Sequence, residues 1–124
     1  MDSRTLARLC RDIADTKKAE NLEILDVRKL TSIADYFVIV TGSGEPHLRA
    51  IENEIADRLR EEHDIRPNAI DGTLQTAWMV LDYSSVIVHI MRADARERYN
   101  LEALWGDAPR VKPRKPRAPK KPST

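Results

Sequence analysis

Residues 78–105 read WMVLDYSSVIVHIMRADARERYNLEALW and contain both tryptophans of a chain that is only 5% aromatic. Two apolar runs, 78–81 and 86–91, are rich in β-branched residues and have the length of strands. The four residues 82–85 between them form a turn of the size that joins an antiparallel pair. Large aromatic side chains are seldom left fully in water, so we expect this hairpin to mark the place where the core becomes a binding face.

The end of the same stretch predicts a single short helix. Asp94 is placed as an N-cap, and Glu97 follows three residues later, as in a capping box. The helix is predicted to end at Gly106. Its apolar stripe would consist of Leu101, Leu104 and Trp105.

The composition predicts one folded domain. The chain has 124 residues and is 41% hydrophobic, which is enough to bury a sizeable core. No apolar run approaches the roughly twenty residues that a membrane span needs, and no secretory signal is recognisable at the start. A single cysteine, Cys10, excludes an intramolecular disulfide and a multi-cysteine zinc site. We therefore expect a cytoplasmic protein.

The net charge of +1 conceals a strong asymmetry. Residues 110–124, RVKPRKPRAPKKPST, hold seven basic residues and no acid, which leaves residues 1–109 with 14 basic and 20 acidic residues, a net −6. Proline at every third position from Pro113 favours extended polyproline II structure. We expect a folded domain over 1–109 and a basic, Pro-rich, disordered tail over 110–124.

The first half of the chain predicts a helix followed by two strands. An amphipathic pattern over 3–19, with Ser3 as the cap, places Cys10 on the apolar face, where it is expected to be a small core residue rather than a nucleophile. Strands are predicted over 22–30 and 35–41 as antiparallel neighbours joined by a short turn. The second strand is apolar almost throughout, which favours a central position buried on both faces.

A second helix and a short strand complete the pattern. Gly42-Ser43-Gly44 ends the second strand, and apolar residues at helical spacing over 47–63 predict a helix that stops at Arg66-Pro67. Residues 68–72 are a candidate third strand. The order α-β-β-α-β-β-β-α predicts an α/β fold, a mixed β-sheet flanked by helices.

The glycine-rich turn raises the question of nucleotide chemistry. A turn of this kind before a helix can present N–H groups to an anion, but 42–48 match neither the P-loop nor the dinucleotide fingerprint, and Glu45 would repel a phosphate. The start also resembles the nucleotidyltransferase fold, whose enzymes hold metal ions with two acids at i and i+2 on a strand. Here the pair Glu52 and Glu54 falls in a predicted helix and points in two directions, as solvated surface charges. We expect no catalysis, no metal and no cofactor.

The three histidines, His47, His63 and His89, show no metal-ligand spacing. His89 lies within an apolar strand on the face shared by Ile87 and Met91. Two interpretations stay open: a satisfied, partly buried histidine, or a sign that helices do not fully cover this face of the sheet.

Three stretches, 25–51, 77–91 and 96–105, together closely resemble the ribosomal silencing factor family (RsfS, also called Iojap). The motifs that carry the resemblance are Ala34-Asp35-Tyr36-Phe37 running into Thr41-Gly42, His47, Gly72, Trp78 with Asp82, Val86–His89, and Tyr99-x-Leu101-Glu102-x-Leu104-Trp105. The resemblance covers about 5–109 and leaves the tail outside it. Ser84-Ser85 stands where the family usually has Gly-Asp, which should alter the geometry of the turn.

The resemblance implies a protein that binds the large ribosomal subunit through its L-fourteen protein. Occupying that surface would block association of the small and large subunits and so repress translation. It further implies a nucleotidyltransferase-like domain without catalytic acids, and a homodimer when the protein is free. An acidic body suits a basic protein partner and would be repelled by bare rRNA.

Candidate contact residues lie within residues 78–105. An interface needs a few aromatic or arginine anchors among polar neighbours. The candidates on the hairpin and the last helix are Trp78, Asp82, Tyr83, Met91, Arg96, Tyr99 and Leu104. Trp105 is placed in the core or the interface with equal weight.

Two alternatives and one open question accompany this hypothesis. The chain could be a degenerate nucleotidyltransferase-fold protein that still binds a nucleotide at Gly42–Gly44, or a generic dimerising module with no ribosomal role. The basic tail either follows rRNA phosphates beside the docking site or serves only as a solubility tail.

Overall fold

A computed structural model describes residues 1–73 and 76–112 of the chain. The elements in chain order are α1 (Ser3–Thr16), β1 (Glu20–Asp26), β2 (Tyr36–Gly42), α2 (Glu45–His63), β3 (Ala69–Thr73), β4 (Trp78–Asp82), β5 (Val86–Arg92), α3 (Ala93–Tyr99) and α4 (Leu101–Leu104). The predicted order is confirmed up to β5, and the last predicted helix is two helices. None of the helices described is both long enough and apolar enough to cross a membrane.

The five strands form one mixed sheet in the order β1-β2-β5-β4-β3. Only β2 and β5 are parallel, with Ile39 opposite His89, and the other three pairs are antiparallel. The crossover from β2 to β5 takes the chain through α2, β3 and β4, as a parallel pair requires. All seven residues of β2 are buried, which confirms the predicted central strand.

One face of the sheet is closed by the two long helices. Both helices turn an apolar stripe towards the strands, and the largest of the buried side chains contribute about 1.5–3 kcal/mol each. The stripes are Leu6, Ala7, Cys10, Ile13 and Ala14 on α1, and Leu48, Ile51, Ile55 and Leu59 on α2. Burial raises the pKa of the Cys10 thiol to about 12, so this cysteine is a core residue, as predicted.

The start of α1 and the end of β1 differ from the prediction. The helix is capped by Asp2, whose carboxylate accepts the Thr5 N–H at 2.8 Å, and not by Ser3. Strand β1 ends at Asp26 and does not continue to residue 30. It stops because the carbonyl of Val27 accepts the N–H groups of Leu30 and Thr31, which turns the chain.

The predicted single helix from Asp94 to Gly106 is wrong. Asp94 does not cap it, because its carboxylate pairs with Arg92 at 2.6 Å, an ion pair that lowers the pKa of Asp94 to about 2. Asn100 interrupts the helix. It adopts φ 44° and ψ 58°, and its side chain accepts the Ala103 N–H at 3.3 Å. Asparagine tolerates the left-handed region and is a good N-cap, so one residue ends α3 and starts α4.

After α4 the chain returns to the free edge of β1. The Asp26 N–H donates to the carbonyl of Pro109, and the Val111 N–H donates to that of Ile24, both at 2.8 Å. Arg110 lies opposite Leu25 in an isolated bridge. The predicted domain end near residue 109 falls inside this paired segment, and the rest of the predicted disordered tail, 113–124, lies outside the described residues.

Candidate functional site

Five rings form a continuous array on the sheet face that α1 and α2 leave open. The distances between ring centroids are 4.8 Å from Tyr99 to Trp78, 5.8 Å from Trp78 to His89, 5.2 Å from His89 to Phe37 and 5.3 Å from Phe37 to Trp105. Three strands and the two last helices contribute. We call these five rings, together with the exposed Leu104 that directly precedes Trp105 in the chain, the aromatic face.

The strand registers explain why these rings meet. Side chains alternate between faces along a strand, and Trp78 lies opposite Met91, which shares its face with His89 and Ile87. In the parallel pair, Phe37 lies opposite Ile87 and therefore has the same orientation. The rings accordingly come from one face of three adjacent strands, β4, β5 and β2.

The outer part of the aromatic face is open to solvent. Leu104 is 72% exposed and Tyr99 is 44% exposed, while Trp78 and Trp105 are half-buried. Exposed apolar side chains backed by fixed aromatic rings are typical of a protein-binding surface. The register also places the exposed Asp71 and the half-buried Asp82 on this side of the sheet, next to Val80, so the surface has acidic neighbours.

His89 links the exposed rings to the core. The Trp78 indole Nε1–H donates to His89 Nδ1 at 3.1 Å, so this nitrogen is unprotonated and the proton of the neutral ring is on Nε2. Burial lowers the pKa of His89 to about 4, which keeps the ring neutral. Nε2 is buried and has no hydrogen-bond partner among the described residues, so the histidine is buried but only half satisfied.

Arg96 was predicted to be a contact residue, and the structure places it inside the domain. Its guanidinium pairs with the Glu102 carboxylate at 2.8 Å, donates to Thr41 Oγ1 at 2.8 Å and donates to the carbonyl of Asn21. The residue is 8% exposed. Arg96 therefore joins α3 to α4, β2 and the start of β1, and its role is to position the two short helices.

Met91 and Tyr83 also need correction as contact residues. Met91 is fully buried, because Trp78 lies opposite it and the last helices pack above it. Tyr83 is 7% exposed and lies near Cys10 and Glu52, which belong to the two long helices on the other face. Burial raises the pKa of Tyr83. Neither side chain is within reach of a partner on the aromatic face.

Asp82 has a structural task in the hairpin turn. Its carboxylate accepts the N–H of Ser84 at 2.7 Å. Ser84 adopts φ 69°, a left-handed conformation that glycine accepts with less strain than serine. The carboxylate of Asp82 thus helps to hold a turn in which serine replaces the glycine that the resemblance leads one to expect.

A side chain of helix α2 occupies the glycine-rich turn. His47 Nδ1 accepts the Ser43 N–H at 2.8 Å, and His47 Nε2 lies 2.6 Å from the carbonyl of Lys17. Pro46 has no N–H to offer and Glu45 adds a negative charge to the first turn of α2. One donor of the turn is already in use, Pro46 offers none and Glu45 is negatively charged, so the geometry favours a closed turn over a nucleotide site.

The predicted helical position of Glu52 and Glu54 is confirmed, but the description of Glu52 as a solvated charge is wrong. Glu52 Oε2 is buried and has no hydrogen-bond partner among the described residues, and burial raises the pKa of this carboxyl. Glu54 lies 3.9 Å from the ammonium of Lys17. Over 1–73 and 76–112, no group of three or more His, Cys, Asp or Glu residues is arranged to hold a metal ion.

The fold and this surface together define a class: an α/β domain with one helix-covered sheet face and one open aromatic face suited to binding a protein. The family model described as "Ribosomal silencing factor during starvation" matches residues 1–124. The chain therefore belongs to the ribosomal silencing factor (RsfS) family, which confirms the resemblance read from its motifs.

Individual relatives agree with this assignment. The ribosomal silencing factor RsfS of Halalkalibacterium halodurans is 37% identical over 111 residues, 90% of this chain and 94% of that protein. The factor of the same name from Bacillus subtilis is 35% identical over 109 residues, 88% of this chain and 92% of that protein. A crystal structure of a Chromobacterium violaceum protein superposes with a TM-score of 0.80 at 26% identity, covering 98% of this chain and 95% of that one.

Proposed function

We propose that this protein is a ribosomal silencing factor that binds the large ribosomal subunit through its L-fourteen protein and prevents the small subunit from joining. Translation is repressed because the two subunits stay apart. The family assignment supports the ribosomal role. The protein acts where free subunits are found, in the cytoplasm, and it acts by binding rather than by catalysis.

The main observation in favour of this docking site is the aromatic face. Leu104 and Tyr99 are exposed, and Trp78, whose ring lies 4.8 Å from that of Tyr99, is held by a hydrogen bond to His89. An exposed apolar group on a rigid aromatic support loses little conformational entropy on binding. Asp71 and Asp82 beside it provide negative charge for a basic ribosomal protein.

The test is a subunit-association assay on sucrose gradients with full-length protein. Leu104→Asp places a charge at the centre of the proposed contact and should abolish the block on subunit joining, with little change in stability because the residue is exposed. Ile33→Asp is the matched control, since Ile33 is also exposed (64%) but belongs to the loop between β1 and β2.

Two outcomes would contradict the proposal in different ways. If Leu104→Asp still keeps the subunits apart, the docking surface lies elsewhere on the domain. If the wild-type protein itself has no effect on association and does not sediment with the large subunit, the silencing role is refuted for this chain. Self-association of the free protein stays a prediction.

The basic tail is included in the proposal as a contact to rRNA. Seven cations in residues 110–124 would follow phosphates without regard to base sequence, and such contacts weaken as salt rises. Deletion of residues 113–124 should therefore reduce the salt dependence of large-subunit binding. An unchanged salt dependence would leave only the role of a solubility tail.

A further inference from the structure

One arginine on α1 and one after β1 contact a single buried tyrosine. Arg4 Nε donates to the Tyr36 hydroxyl at 3.3 Å, and the guanidinium of Arg28 lies 5.3 Å from the centre of the same ring. Arg8 follows Arg4 at the i+4 position of the helix and therefore lies on the same side. Tyr36 is only 1% exposed, so it anchors both guanidinium groups that contact it.

The C-terminal segment joins this group of arginines. Arg8 Nε donates to the carbonyl of Lys112 at 3.2 Å, and the Val111 N–H bond to β1 fixes the chain just before it. The sequence that continues from this point contains five more basic residues, Arg114, Lys115, Arg117, Lys120 and Lys121. We call Arg4, Arg8, Arg28 and Lys112 the basic corner.

The basic corner differs from the rest of the surface in how its charges are paired. In the part of the chain that the structure describes, Arg4, Arg8 and Lys112 form no ion pair within 4.0 Å, whereas most other arginines do. The paired arginines are Arg11, Arg28, Arg58, Arg60, Arg66, Arg92, Arg96 and Arg110. The acids beside the corner are Asp2, which caps the helix, and Asp26, which pairs with Arg28 at 2.7 Å. Three of the four cations thus have no ion-pair partner among the described residues, although residues 1–109 as a whole are negative.

We infer that the basic corner is an RNA-binding surface of the folded domain, which takes the phosphate backbone of RNA and is continuous with the basic C-terminal sequence. Arginine forks suit phosphate oxygens, and the three corner cations without an ion pair, Arg4, Arg8 and Lys112, suit the several charges of a phosphate backbone better than a single carboxylate. That the RNA is ribosomal depends on the proposed function, whereas RNA binding itself does not. On this proposal, the corner is an exception to the expectation that the acidic body repels bare rRNA.

The position of the basic corner makes it independent of the aromatic face. Tyr36 contacts Arg4 of α1, whereas the next residue of β2, Phe37, belongs to the ring array on the other face. The two surfaces therefore lie on opposite faces of the sheet, and Arg4 and Arg8 belong to the helix that covers the face away from the rings. One domain could therefore bind a protein with one surface and RNA with the other.

The experiment is a titration of full-length protein against a short fluorescently labelled RNA hairpin, followed by anisotropy over a series of salt concentrations. The double variant Arg4→Gln with Arg8→Gln should weaken binding about tenfold and reduce the slope of log K against log salt by about 2. The matched control, Arg58→Gln with Arg60→Gln, removes the same charge from α2 and should bind as the wild type does.

A further variant and a competition experiment test the same proposal. Lys112→Gln changes a side chain while leaving its carbonyl bond to Arg8, and should weaken RNA binding even if the double variant proves less stable. Equal weakening by both double variants, or no binding by the wild type, overturns the proposal. Displacement of the RNA by an acidic peptide at equal concentration would identify an acidic protein as the ligand and also overturn it.

A reciprocal comparison separates this inference from the proposed function. Leu104→Asp should lose the block on subunit joining and keep its affinity for the RNA hairpin. If the wild type fails to block joining but the arginine variants still lose RNA affinity, the proposed function falls and the RNA surface stands. If joining is blocked normally and no variant changes RNA affinity, the reverse holds.

Discussion

The two faces of the sheet are closed in different ways. Beneath α1 and α2 the contacts are almost entirely apolar, and both helices are long enough to present a full stripe. On the other face only two short helices and a ring array cover the strands, and an indole–imidazole hydrogen bond joins its parts. The helix-covered side therefore holds much of the buried apolar core, and the proposed docking role falls on the opposite side of the same strands.

The largest effect should come from a cavity in the helix-covered face. Ile55→Ala removes a fully buried side chain from α2 and should lower the free energy of unfolding by about 2–5 kcal/mol. Chemical denaturation of the variant measures this loss. At a temperature where the variant is still folded, its block on subunit joining should equal that of the wild type. A selective loss of the block, with stability intact, would contradict the division between the two faces.

The second effect concerns acid and the aromatic face. The pKa of His89 is lowered from 6.5 to about 4, so between these two pH values the unfolded chain binds a proton that the folded chain does not bind. Stability from this residue is complete above pH 6.5 and is lost as the pH falls towards 4, by about 3 kcal/mol in all. Unfolding curves measured between pH 7 and pH 4 should show the loss, and His89→Gln should remove most of it from this window. A pH dependence that is the same in both proteins would contradict the neutral buried histidine.

The smallest effect is the loss of one hydrogen bond. Trp78→Phe keeps an aromatic ring beside Tyr99 but removes the donor to His89, which should cost about 1 kcal/mol in the free energy of unfolding. Without that donor the imidazole can also accept a proton more readily, so the acid-induced loss should become smaller. Denaturation of the variant at pH 7 and pH 5 measures both changes. An unchanged acid sensitivity would show that the indole does not control His89.

Much of the fold could be predicted from short-range patterns. The continuous apolar run of β2 indicated a strand buried on both faces. Two apolar runs of strand length, separated by a turn-sized connection over 82–85, indicated the β4–β5 hairpin. The break at Asn100 was missed, although asparagine before a new helical turn is a recognised signal for a left-handed cap. The likeness to nucleotidyltransferases stays a prediction.

The candidate site could be predicted only in part. Trp78, Tyr99 and Leu104 were chosen from the sequence; the rings of Trp78 and Tyr99 are in contact and Leu104 is exposed, while the binding role of all three stays a prediction. Arg96 was chosen for its charge, but the sequence does not show that Glu102 and Thr41 surround it. Phe37 was missed as a member of the array, since it is distant in sequence and joins through the parallel pairing of β2 with β5.

The strands, the long helices, their order and the family could all be predicted from the sequence alone. The sequence also shows that aromatic and basic residues are concentrated in two stretches. The tertiary structure decided which of those residues are exposed and which charges remain unpaired. The physical reason is the sequence separation over which each property is set. The periods of helix and strand depend on neighbouring residues, so they can be predicted from short stretches. Burial and ion pairing depend on which distant segments pack together, as when Tyr36 brings Arg4 beside Arg28.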